Sequence, residues 1–162
     1  MEFYENKQEP EKAVLIAVDT GEYDCDISLD ELEELAETAG AEVVGRMSQK
    51  RDKPDSGTFL GSGRLEELGD FCRNNEVDLV IADSELAPAQ LRNIEKATEV
   101  RVIDRTTLIL DIFAERARSN EGKLQVELAQ LRYSLPRLMG QGTKLSRLGG
   151  GIGTRGPGET KL

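Results

Sequence analysis

Residues 105–162 read RTTLILDIFAERARSNEGKLQVELAQLRYSLPRLMGQGTKLSRLGGGIGTRGPGETKL, and the rest of the chain is organised around them. Leu124, Leu128, Leu131, Leu135 and Leu138 recur at alternating spacings of four and three, the pattern of a helix seam packed on another helix. Counted backwards, the stripe meets Glu121, Ala117, Ala114, Leu110 and Thr107, three of them apolar. No proline interrupts Arg105 to Leu135, and Gly122 alone costs a helix about 1 kcal/mol. The spacing therefore predicts one long helix over 105–139, a rod of about 50 Å at about 1.5 Å per residue. Pro136 removes the bond to the Arg132 carbonyl and is expected to kink the last turns.

The second half of the stretch has another character. Eight glycines and Pro157 fall between Gly140 and Gly158, too much chain entropy for a packed core. Of 21 Lys and Arg residues six lie after Ala129, but of 31 acids only Glu159 does. The first 129 residues thus carry about −15 and the remainder about +5. A helix ending in a basic glycine loop suits a narrow anionic partner, because arginines contact phosphates and stack on bases. The plainer reading of the same composition is a basic linker.

The body before this arm alternates strands and helices. AVLIAV (Ala13–Val18) is an apolar run of strand length, as in a strand buried on both faces. Ser28 and Glu31 are spaced as a capping box for a helix carrying Leu29, Leu32 and Leu35, ended by Gly40. Ala41–Met47 reads as a strand, Ser48–Gly57 as a polar and basic loop, and Thr58–Leu60 as a short strand. Gly61, Ser62 and Gly63 open a helix over Arg64–Asn75. Such a junction presents backbone N–H groups that suit a phosphate, although a tight strand-to-helix turn is the commoner explanation. Val77–Ala82, a helix over Pro88–Thr98 with proline in its first turn, and Val100–Ile103 follow, with Asp104 as the cap of the next helix. The expected fold class is α/β: a mostly parallel sheet flanked by helices over 13–104, after a loose N-terminus (1–12), and then a helical arm. Within the arm, 140–158 is a loop and 159–162 begins a second helix, an incomplete hairpin.

The chain has no histidine, and Cys25 and Cys72 stand in no metal-like spacing, so neither a zinc site nor imidazole base chemistry is expected. Paired acids such as Glu33–Glu34 and Glu66–Glu67 read as solvated helix faces, and Asp78 and Asp83, flanking a strand, as structural. No apolar run reaches membrane-span length and the N-terminus is polar, so a cytoplasmic protein is expected.

VIDRTTLILDIFAERARSNEGKLQVELAQLRYSLPRL followed by GGGIGTRGPGETKL resembles the N-terminal part of the HflX family of ribosome-associated GTPases, from about Phe59 to Leu162. The resemblance implies an α/β part followed by a helical part whose glycine loop faces the RNA of the large (50S) ribosomal subunit. The implied RNA-binding residues are Lys144, Arg147, Gly151, Gly153, Arg155, Gly156 and Gly158. It also implies a GTPase domain in cis holding GTP and magnesium, and a role in ribosome splitting, rescue or biogenesis. The sequence departs from a complete GTPase in one respect: no G-x-x-x-x-G-K-[ST] phosphate loop occurs in it, so no cofactor and no catalysis are expected of these residues. Two alternatives stay open: an ATP-binding α/β domain using Gly61–Gly63, and a scaffold self-associating through the Leu124–Leu138 stripe, which lacks its partner helix here.

Overall fold

A computed structural model describes residues 9–138. Four strands form one parallel sheet in the order β2-β1-β3-β4: β1 (Lys12–Asp19), β2 (Glu42–Lys50), β3 (Leu79–Ala82) and β4 (Arg101–Asp104). Five helices accompany it: α1 (Cys25–Thr38), α2 (Ser62–Asn74), α3 (Pro88–Thr98), α4 (Arg105–Arg116) and α5 (Asn120–Leu138). The mixed α/β architecture with a parallel sheet is the one expected.

Because strand side chains alternate, β1 feeds two cores. Val14, Ile16 and Val18 join Val80 and Val102 under α2 and α3, with Leu65, Leu68, Leu91 and Ile94 closing that layer. Ala13, Leu15 and Ala17 join Leu79, Ile81 and Ile103 under α1 and α4, with Leu29, Leu32, Leu108 and Ile112. Both faces are covered, which is why Ala13–Val18 of β1 and the whole of β3 are apolar. β2 lies at the margin, and its side chains are only partly buried. There Arg46 pairs with Asp30 at 2.7 Å and Glu33 at 2.9 Å on α1. The strand also takes in Ser48–Lys50, expected as loop, since Lys50 still pairs with Asp19.

Thr58–Leu60 is not a strand. Asp55 and Phe59 exchange backbone bonds of 3.0 and 2.9 Å, and the Asp55 carboxyl accepts from the Gly57 and Thr58 amides. Those amide bonds hold its pKa below the usual aspartate value. The turn puts Phe59 at φ 66, strained for a bulky residue, while its ring is buried in the α2/α3 core. Gln90 and Asn93 of α3 fasten the loop by donating to the Asp55 and Gly57 carbonyls, each at 2.7 Å.

Helix α1 starts one turn before the expected capping box. Asp24 is the cap, its carboxyl accepting from the Ile27 amide at 3.1 Å, and Ser28 is inside the helix. The other end is as expected: Gly40 at φ 97 follows the helix, the Gly40 amide bonding Glu37 and the Ala41 amide bonding Ala36. Asp104 caps α4 through the Thr107 amide at 3.1 Å.

The single rod over 105–139 is corrected to two helices. At Ala117 the backbone is extended (φ −68, ψ 134), and Ser119 restarts the helix, its hydroxyl accepting from the Gly122 amide at 2.9 Å. α5 turns back on α4, where Gln130 donates to Asp111 at 3.1 Å, and it also packs on α3. It therefore touches both helical layers and stays with the body, a segment of about 28 Å at about 1.5 Å per residue. The leucine seam does not mediate this packing. Leu124, Leu128, Leu131 and Leu135 are 43–57% exposed, while Val126, Ala129, Tyr133 and Arg137 are on the less exposed face. Replacing Ser119 by alanine removes the α5 cap, and urea unfolding should show a loss of about 1 kcal/mol.

Candidate functional site: the seat of the helical hairpin

In an open parallel sheet, ligands favour the carboxyl ends of the strands, at the point where strand order reverses. Here that point lies between β1 and β3, and side chains fill it. Asp83, just after β3, has a side chain 2% exposed. Arg105, the first residue of α4, donates to its carboxyl at 2.5 Å and to its backbone carbonyl at 3.0 Å. The same guanidinium reaches the Ser28 carbonyl and hydroxyl, both at 2.9 Å, and the Ser28 hydroxyl donates to Asp83 at 2.8 Å. Tyr23 closes the group, its hydroxyl 3.2 Å from Asp83. Burial, then the Asp83 charge, pushes that phenol above its ordinary pKa, so it stays a donor.

A second cluster sits at the end of β4. Asp104 is fully buried. One carboxyl oxygen caps α4; the other accepts from the Leu86 amide at 3.0 Å and the Tyr133 hydroxyl at 2.5 Å. Burial, then the bond to Asp104, raises the Tyr133 pKa well above its usual value. The Arg137 guanidinium lies 3.6 Å over the Tyr133 ring and donates to the Leu86 carbonyl at 3.0 Å; its Nε is 4.0 Å from Asp104. These bonds link the β3–α3 turn, β4, α4 and α5 through one carboxyl group.

The residues singled out from sequence fall elsewhere. Lys144, Arg147, Gly151, Gly153, Arg155, Gly156 and Gly158 lie outside the described residues, as does Leu138's continuation into 139–162. Gly61 caps α2, and Ser62 and Gly63 form its first turn, joined to the end of β2 rather than to the reversal point. The Gly61 amide already donates to the Gln49 side chain at 2.7 Å, and a Cβ at Gly61 would lie 2.8 Å from the Arg51 guanidinium. The glycine turn is thus engaged with protein groups at the end of β2. Among the described residues no group of three His, Cys, Asp or Glu suits a metal ion, and no helix is long and apolar enough to cross a membrane. Sequence reading missed Ser28, Arg105, Tyr133 and Arg137 as a connected set. The available signal was an aspartate at the carboxyl end of each of two apolar strands, with arginine beside the second.

The class follows from two family matches. Residues 26–114 match the family described as GTP-binding GTPase N-terminal, and residues 116–162 the one described as GTP-binding GTPase Middle Region. The chain is 57% identical over 155 residues to the GTPase HflX of Caldanaerobacter subterraneus subsp. tengcongensis, covering 96% of this chain and 36% of that protein. Against the GTPase HflX of Escherichia coli the identity is 50% over 134 residues, covering 83% and 32%. A crystal structure of a GTP-binding protein from Sulfolobus solfataricus in complex with GDP superposes with a TM-score of 0.60 at 26% identity, covering 82% of this chain and 40% of that one. The chain belongs to the HflX family of GTP-binding proteins, and it spans a little over a third of the length of the curated relatives it matches most fully.

The Asp83–Arg105 pair yields a direct test. Arg105→Met leaves a buried carboxyl group without its cation and should cost about 3–5 kcal/mol in urea unfolding. Adding Asp83→Asn to that variant should restore part of the loss, because both partners are then uncharged.

Proposed function

We propose that this chain is the ribosome-binding part of an HflX-type GTPase, docking on the RNA of the large (50S) subunit in ribosome splitting, rescue or biogenesis. The observation that carries the reading is the charge division: about −15 over the first 129 residues and about +5 over the rest, concentrated where the glycines are. The acidic body repels a nucleic acid, while Lys144, Arg147 and Arg155 attract it, so only one end suits contact with RNA. Gly151, Gly153, Gly156 and Gly158 would let the backbone approach bases and phosphates closely. The anchoring of α5 next to this segment supports the same reading, because a basic loop docks with less entropy loss when it leaves a fixed point.

GTP and magnesium belong, on this reading, to a GTPase domain in cis. The 162 residues contain no phosphate-loop motif, and the reversal point of the sheet is occupied by Asp83 and Arg105. These residues therefore do not fit a GTP site, and no catalytic step is assigned to them. A cytoplasmic location is part of the proposal. Co-sedimentation with purified large subunits tests it. Arg147→Glu combined with Arg155→Glu should weaken binding by about tenfold or more, and more steeply at low salt. Unchanged binding would overturn the reading.

One observation favours a second reading, self-association. Four leucines on one face of α5 are 43–57% exposed. Such a stripe is an association surface. Sedimentation equilibrium should then show a mass that rises with concentration and returns to the monomer on Leu128→Lys with Leu131→Lys. A monomer throughout excludes it.

A further inference from the structure

We infer that the outward leucine face of α5 takes a second copy of this chain, the two α5 helices lying parallel and in register, with Glu127 of each copy beside Arg132 of the other. The inference rests on the self-association reading and adds to it the orientation of the pair and the charges that select it. It is independent of the ribosome-binding reading.

The seam faces away from its own body. Gln130, Tyr133 and Arg137 fasten one side of α5 to Asp111, Asp104 and the Leu86 carbonyl. At about 100° per residue, Leu124, Leu128, Leu131 and Leu135 centre on the opposite side of the helix. All four are exposed. A two-fold axis along this seam puts the two bodies on opposite sides of it, so a second helix can lie on the leucines without a clash. Two heptads seldom pair as free peptides, because ordering the helices uses up the gain. Here α5 is already ordered, capped by Ser119 and held by Tyr133 and Arg137, so that cost is met before the copies meet.

The flanking charges choose the orientation. The leucine spacing assigns Leu128 and Leu135 to heptad position a, and Leu124 and Leu131 to position d. Glu127 then holds position g and Arg132 position e, one on each side of the seam, and both are exposed. In a parallel, in-register pair a g residue lies beside the e residue five positions further on in the other helix. Glu127 therefore meets Arg132 of the second copy, and the two-fold axis makes the pair twice. An antiparallel pair with the same overlap sets Glu127 beside Ser134 and Arg132 beside Gln125, with no opposite charges matched. A carboxylate accepts several bonds, so Glu127 can pair across the seam and keep the bonds of its own copy. Glu121 takes the preceding a position, where two carboxylates would face each other, so the pairing begins at Leu124.

Sedimentation equilibrium and disulfide trapping test the pair together, in moderate salt that screens the acidic bodies from each other. The mass should approach that of two chains as concentration rises. Glu127→Lys and Arg132→Glu should each weaken association about fivefold, and the two combined in one chain should restore it. In the parallel pair Leu124 faces its own counterpart; in the antiparallel pair it faces Leu135. Leu124→Cys, at an exposed position, should therefore cross-link to itself on oxidation with diamide, while Cys25 and Cys72 are buried and stay in place. A dimer that cross-links only when Leu124→Cys chains are mixed with Leu135→Cys chains would overturn the parallel pairing and leave the self-association reading standing. Association indifferent to both charge reversals would overturn the inference in the same way. A monomer at every concentration would overturn the inference and the reading together, and would leave the leucine face to a helix elsewhere in the longer family proteins.

Discussion

Two acidic side chains stand at the carboxyl ends of β3 and β4, and each is out of reach of water. A buried carboxyl group without partners costs several kcal/mol, so the helices that follow must bring compensation. Arg105 supplies it to Asp83 at 2.5 Å, and Tyr133, with Arg137 close by, supplies it to Asp104. This need constrains everything after the sheet. α4 must begin where its first residue can reach back across β3, and α5 must fold back far enough for its last turns to meet the end of β4.

The same constraint explains why the arm is a hairpin and not a rod. A continuous helix from Arg105 would carry Tyr133 about 40 Å from Asp104, at about 1.5 Å per residue. The break at Ala117–Ser119 is what brings the two together. An apolar seam along the rod would have favoured continuity; here it faces outward, and polar contacts of the opposite face decide the path.

Much of the body was legible because its signals are local or strongly apolar. β1 contains the unbroken apolar run Ala13–Val18, Pro88 marks the first turn of α3, Gly40 ends α1, and Asp104 caps α4. The failures have two causes: a distant contact that overrides a local pattern, and a local side-chain bond that periodicity does not report. Ser28 has the spacing of a helix cap, but its hydroxyl is taken by Asp83 and Arg105, and Asp24 does the capping. Thr58–Leu60 has strand-forming residues, but Asp55 gathers the preceding amides into a turn. Ser119 is an ordinary capping residue that a count of leucines passes over. The set around Asp104 joins residues 51 positions apart in sequence, from Leu86 to Arg137, and no periodicity reports such a meeting.

The two margins of the sheet differ. The β4 side is where α5 is fastened, whereas β2 offers nine residues of strand at the other border. An open border of that length invites a foreign strand to add itself, the first step of aggregation. Glu42, Arg46 and Lys50 put charge at intervals along it, and Arg46 is already committed to Asp30 and Glu33. An intruding chain would have to accommodate that charge before it could zip into place, so this border is guarded electrostatically.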